Sequence, residues 1–329
     1  MKKFIIKRLL LAIMILFFVS FIIYALMRCL PTSFVEALAN KKAQAGGSKT
    51  FAEWMAQLNA VYGLDKGLFD GYGSWISKAI TGDFGESWKF TIPVTQKFAD
   101  VIWYSFVLNV ICFILEMGIS IPLGILAARK QYSRTDYTIT TIALMGISLP
   151  SFFFATVLKL IFCVKLGWFD LFGVVGKYHE QLNTPLEKIL DMGWHYILPV
   201  VTLTIVSIGA LMRYTRTNML EVLNSDYIRT ARAKGLSEKV VINKHAFRNT
   251  LIPIVTIVGG MLPGLFSGAM ITETLFGIPG IGYTSYQAMV EGDIPFTMFY
   301  MLFLAILTLL GTLLSDILYA VVDPRVRVN

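Results

Sequence analysis

Six long apolar stretches constrain this chain more than any other feature: Leu9–Met27, Val101–Ala128, Tyr137–Val164, Tyr196–Leu211, Leu251–Leu275 and Thr297–Val322. Most reach the ~20 residues a helix needs to cross a hydrocarbon core of about 30 Å. A lone span in lipid must satisfy its own backbone hydrogen bonds, so each stretch is expected to be helical. No strand-length alternation suggests a barrel. Pro122, Gly124, Pro150, Pro263 and Gly264 lie inside the stretches, which packed membrane helices tolerate. The 329 residues could hold two soluble domains by length, but 56% are hydrophobic and 15% charged. A soluble domain carries roughly 25% charged residues. The chain is therefore expected to be an all-α integral membrane protein of about six transmembrane helices, with residues 1–329 forming one transmembrane domain.

Charge sets the expected orientation. With the N-terminus inside, segments 1–8, 129–136, 213–250 and 321–329 face the cytoplasm and carry 17 Lys and Arg in 63 positions. The opposite segments, 31–100, 165–195 and 276–296, carry 10 in 122. Basic residues collect on the cytoplasmic side of membrane proteins, so both termini are expected inside. The same confinement of charge explains the net +8 without a nucleic-acid partner. The first stretch, preceded by Lys2, Lys3, Lys7 and Arg8, is longer than a signal-peptide core and reads as an uncleaved anchor.

Two connections are too long to be simple turns. The extracytoplasmic region 31–100 has seven Lys, seven Asp or Glu, and Trp54, Trp75 and Trp88. Within it, Phe51–Tyr62 reads as a helix stopped by Gly63, and Gly82–Gly85 as a turn. In the basic cytoplasmic region 213–250, Ser225 stands at an N-cap position and Asp226 complements a helix start. Arg232 and Lys234 complement its end, Gly235 stands at a left-handed C-cap, and Ser237-Glu238 can open a second helix. Two such helices form a firm knob for a cytoplasmic partner; the simpler alternative is a basic loop that serves topology alone.

No residue set looks catalytic, so an enzyme is not expected. His179, His195 and His245 fall in separate segments, and none pairs with a nearby Cys or acidic residue in a recognisable motif. Cys29, Cys112 and Cys163 form no CxxC, so no metal site is expected. There is no GxxxxGK[ST] phosphate loop, so ATP hydrolysis by that route needs another subunit. Within the spans, Glu116, Lys159 and Asp316 carry charge, which should face protein or water. Lys159 is near enough to the outer end to extend toward water, and Asp316 is similarly close to the inner interface. Glu116 is the candidate pathway carboxylate, or else a buried carboxyl bonded to a neighbouring helix.

Several stretches together resemble a known family. Asp226-Tyr227-Ile228-Arg229-Thr230-Ala231-Arg232-Ala233-Lys234-Gly235-Leu236 is similar to the cytoplasmic EAA-type loop of ABC importer permeases, in particular their oligopeptide/dipeptide branch. Arg229, Thr230, Ala231 and Gly235 occupy the places of the generic Glu-Ala-Ala and Gly. His245-Ala246-Phe247-Arg248-Asn249, Gly63-Leu64-Asp65, Gly82–Ser87, Gly146–Pro150, Glu273–Gly282 and Asp323-Pro324-Arg325 continue the match. The resemblance implies a MetI-like type I permease fold in the cell membrane of a prokaryote. It implies a second homologous permease, two ATP-binding subunits that hold ATP and Mg, and an extracytoplasmic binding protein delivering oligopeptides or dipeptides. Asp226, Tyr227, Arg229, Thr230, Ala231, Lys234 and Gly235 are then the ATPase-coupling residues. The Glu273 segment faces the delivery side and adds a second candidate pathway carboxylate. The same machine could instead carry nickel chelates, glutathione or another small solute. From a different class, an ion-coupled secondary transporter is the alternative.

Overall fold

The computed structural model describes residues 2–29, 33–44, 49–61 and 66–322. Gly63-Leu64-Asp65, with the expected helix stop at Gly63, and Asp323-Pro324-Arg325 lie outside the described residues. Among the described residues, fourteen α-helices follow in order: α1 Lys2–Cys29, α2 Ser33–Gln44, α3 Phe51–Val61, α4 Leu68–Ile80, α5 Val94–Arg129, α6 Arg134–Ser148 and α7 Ser151–Leu158 come first. Then come α8 Pro185–Leu223, α9 Asp226–Ala233, α10 Glu238–Val240, α11 Phe247–Met261, α12 Met270–Phe276, α13 Ile281–Val290 and α14 Ile294–Val322. π-helical turns at Lys159–Lys165 and Val241–Ala246 continue α7 and α10. Among the described residues, four helices are long and apolar enough to cross a membrane: Ile6–Cys29, Val94–Arg129, Pro185–Leu223 and Ile294–Leu318. Two bent pairs, Arg134–Ser148 with Ser151–Lys165 and Glu238–Leu251 with Pro253–Phe266, bring the number to six if each is one crossing. The protein is thus an all-α, multi-pass membrane protein.

Two of the apolar stretches are not the continuous spans the sequence suggests. Tyr137–Val164 is bent by 98° at Leu149-Pro150. Proline disfavours the helical region in the residue before it, and Leu149 is extended (φ −81°, ψ 125°). Leu251–Leu275 also breaks: α11 tightens into a 3₁₀ turn over Leu262–Phe266, and Gly268 at φ +78° precedes α12. In contrast, α8 runs for 39 residues, well beyond the expected Tyr196–Leu211. A capping box starts it, with the Thr184 hydroxyl accepting from the Glu187 N–H, and Pro185 pre-set for the first turn.

The chain forms two compact units, residues 1–101 with 284–309 and residues 102–283 with 310–329. In the first, α4 lies against α1 at Gly71, where a Cβ would stand 2.2 Å from the Tyr24 hydroxyl. Tyr72 joins them through a 2.8 Å hydrogen bond with Ser20 and edge contacts to Phe17, Phe21 and Tyr24. The expected turn at Gly82–Gly85 is present, both glycines having positive φ. After it, a tight loop is tied down by Asp293, which accepts from the Ser87 hydroxyl and the Lys89 N–H.

The second unit is organised on α8. Helices α6 and α8 meet at two small residues: a Cβ on Gly209 would lie 2.3 Å from the Ala143 carbonyl, and one on Gly146 would lie 2.6 Å from that of Ile205. Small residues allow such close backbone approach between membrane helices. Ser120 on α5 adds a 3.0 Å bond to the Ile208 carbonyl.

Candidate functional site

In region 213–250, the end of α8 runs to Leu223 and the short helix α9 follows two residues later. The α9 sequence puts Ile228 and Ala231 three residues apart, hence on one face. Both are buried, packed with Ala128, Met219, Val241, Ile242 and Ala246. Asp226, Tyr227, Arg229, Thr230 and Lys234 are exposed on the helix and its C-cap. The Asp226–Arg229 pair, at 3.6 Å with side chains 98% and 71% exposed, contributes little to stability and leaves both charges in solvent.

The helix ends are set by backbone chemistry. Gly235 lies at φ +76°, its N–H bonds to the Arg232 carbonyl at 2.9 Å, and the Leu236 N–H reaches the Ala231 carbonyl at 3.4 Å. These two bonds make a Schellman cap. Ser225 is extended at the N-cap position, as expected, but its hydroxyl donates to the Val222 carbonyl at 2.6 Å instead of capping α9. Because α8 ends immediately before, last-turn carbonyls such as that of Val222 lack the usual i+4 donors and compete for that hydroxyl. Ser237 likewise makes no side-chain cap, and Arg232 bridges to Glu238 at 2.7 Å, joining the two short helices. That bond holds the Arg232 guanidinium further toward its charged form. The result is a polar-faced projection held by two apolar anchors.

The two candidate pathway carboxylates occupy separate places. Glu116 is buried in α5, and the nearby Ser207 hydroxyl of α8 donates to the Thr204 carbonyl at 3.1 Å. Glu273 is fully buried and acts as a bracket. Its Oε1 accepts from the Ser105 hydroxyl at 2.6 Å and the Ala269 N–H at 2.8 Å, and its Oε2 from the Tyr283 N–H at 2.8 Å. Ser105 in turn accepts from the Ile281 N–H at 2.7 Å. Eleven residues of α5 separate Ser105 from Glu116, or about 16 Å of helix.

Two expectations need correction. Lys159 does not extend toward water: it is 8% exposed, donates to the Leu275 carbonyl and stands 3.8 Å from the Phe172 ring centroid. The last-turn carbonyls of α12 lack intrahelical donors, and an aromatic face attracts a cation. Nor are His179 and His195 isolated from carboxylates. His179 Nδ1 lies 2.6 Å from Asp191, and His195 Nε2 lies 3.0 Å from Asp170. Only the His195–Asp191 spacing of four residues on one helix signalled part of this cluster in the sequence. Among the described residues, no group of His, Cys, Asp and Glu is placed to hold a metal ion.

Residues 120–328 match the family described as binding-protein-dependent transport system inner membrane component, and residues 1–96 match its N-terminal companion. The chain is 37% identical over 328 residues to the oligopeptide transport system permease protein AppB of Bacillus subtilis, covering 99% of this chain and 100% of that one. It is 35% identical over 328 residues to the oligopeptide transport system permease protein OppB of Haemophilus influenzae, covering 99% and 100%. To the dipeptide transport system permease protein DppB of Escherichia coli K12 it is 35% identical over 345 residues, covering 99% of each.

Proposed function

Because this chain belongs to the inner membrane components of binding-protein-dependent transport systems, we propose that it is one permease half of an ATP-driven peptide importer. Its helices and those of a second, homologous permease line the pathway. An extracytoplasmic binding protein delivers oligopeptides or dipeptides, and two ATP-binding subunits hold ATP and Mg. The names of its relatives favour peptide cargo over nickel chelates or glutathione. Both termini and region 213–250 face the cytoplasm, and region 31–100 faces outward, as the charge distribution argues.

The observation that carries the coupling role is the build of α9. Ile228 and Ala231 fix it to the body of its unit, while Asp226, Tyr227, Arg229 and Thr230 stay exposed. A motion of an ATPase pressed on that face passes to α5, α8 and the π-helical turn Val241–Ala246 through packed side chains instead of being lost in a loop. Coupling further requires ATP and the loaded binding protein to favour one conformation over the other.

The test is to purify the tagged chain from its native membrane in mild detergent and identify what accompanies it. A second multi-span protein with ATPase subunits supports the reading. A chain active in uptake that repeatedly purifies without any ATPase overturns it.

A further inference from the structure

The first unit contains a cavity of about 420 Å³, within the size range of small-ligand sites. Among the described residues, Arg28, Lys42, Lys66 and Lys78 line it with two acids, Asp83 and Glu86, and Tyr24 and Trp75 form part of its wall. Its cations are held in different ways. Arg28, in the last turn of α1, donates to the Lys66 carbonyl at 2.8 Å, folding that turn onto the helix end. The Lys66 ammonium reaches the Ser74 hydroxyl at 3.4 Å, while Lys42 lies 4.9 Å from the Trp54 ring centroid. Asp83 accepts from the Gly85 N–H at 3.0 Å, so part of its charge is engaged in the turn.

The surroundings identify the kind of anion. The spanning part of α1 exposes Leu10, Ile13, Phe18, Ile22 and Leu26, an apolar face that ends at Arg28. That face continues onto α4, where Phe69 is 76% exposed and stacks on Phe21 at 5.7 Å, and Ile80 is 79% exposed. Tyrosine and tryptophan favour the membrane–water boundary, and an amphipathic helix with an exposed apolar face lies in it. The basic cavity therefore opens where a headgroup sits, beside a surface suited to acyl chains.

We propose that this cavity binds the phosphate headgroup of an anionic phospholipid, held by Arg28, Lys66 and Lys78, with the acyl chains along the exposed face of α1. The shared chemistry is a phosphate, so a soluble phosphate is the competing source.

The full chain in a zwitterionic detergent is titrated with phosphatidylglycerol, phosphatidylcholine or inorganic phosphate, and bound lipid is counted by native mass spectrometry. Phosphatidylglycerol is expected to bind at least tenfold more tightly than phosphatidylcholine. Each lysine removed in Lys66→Ala and Lys78→Ala should weaken it about fivefold, while Lys188→Ala in the other unit changes nothing. Both lysines are exposed, so the variants keep the fold. Undiminished binding of phosphatidylglycerol to the double variant overturns the site. Inorganic phosphate displacing the lipid at equal concentration overturns the lipid as occupant.

Discussion

Arg216 on α8 donates through Nε and Nη2 to the two carboxylate oxygens of Asp136, at 2.7 and 2.8 Å, in a bidentate pair formed across 80 residues. Asp136 also accepts from the Tyr132 N–H and the Thr140 hydroxyl, so the connection into α6 closes on one carboxylate. Since Asp136 is 2% exposed, loss of Arg216 strands its charge. Arg216→Met is expected to cost about 3 kcal/mol, and Asp136→Leu combined with it to recover part of that. Thermal unfolding of the single and double variants in detergent measures both. A double variant less stable than either single one would mean that the pair is not the source of the loss.

Gly235 offers a narrower test, because a Cβ there meets no atom within 4 Å and only the backbone conformation objects. Gly235→Ala should cost about 1 kcal/mol, and Gly235→Asn less, since Asn tolerates the left-handed region. Unfolding midpoints check the order. Equal stability for all three would remove the argument for a left-handed cap.

The two faces of α9 should separate stability from coupling. Ile228→Ala removes a fully buried side chain and is expected to cost about 3 kcal/mol. Tyr227→Ala and Asp226→Lys, on the exposed face, should change stability by less than about 0.5 kcal/mol. Under the proposed function, those two variants still weaken ATPase association and uptake. Co-purification with normal uptake by both would detach the exposed face from coupling.

Glu273 is predicted to fail as a bracket before it fails as a pathway residue. In Glu273→Gln an amide nitrogen replaces one acceptor, so an N–H of Ala269 or Tyr283 must face another donor. The expected loss is about 2 kcal/mol. Stability and uptake should fall together. A Gln variant of unchanged stability but lost uptake would assign Glu273 to the pathway instead.

Much of α9 was legible in advance because its determinants are local. Asp226 at the start, Ile228 and Ala231 on one face and Gly235 past the end follow from helix geometry and backbone preference. The partner of the Ser225 hydroxyl is not legible there, for the opposite reason. That partner belongs to α8, and only the position of that helix end reveals the competition. Glu273 stands between these cases: its segment was recognisable, but its role as acceptor for Ser105 and Tyr283 depends on the meeting of distant backbone.

By itself, the sequence determined that this protein lives in a membrane, that it is helical, and that α9 starts and stops where it does. Hydropathy over ~20 residues and the φ preference of a single glycine need no tertiary partner. Tertiary structure alone decided the inward turn of Lys159, the pairing of Asp136 with Arg216 and of His179 with Asp191, and the enclosure of Glu273. Each arises because a polar group wholly or partly withdrawn from water finds a partner, and the partner is whatever the packing of the helices brings within about 3 Å.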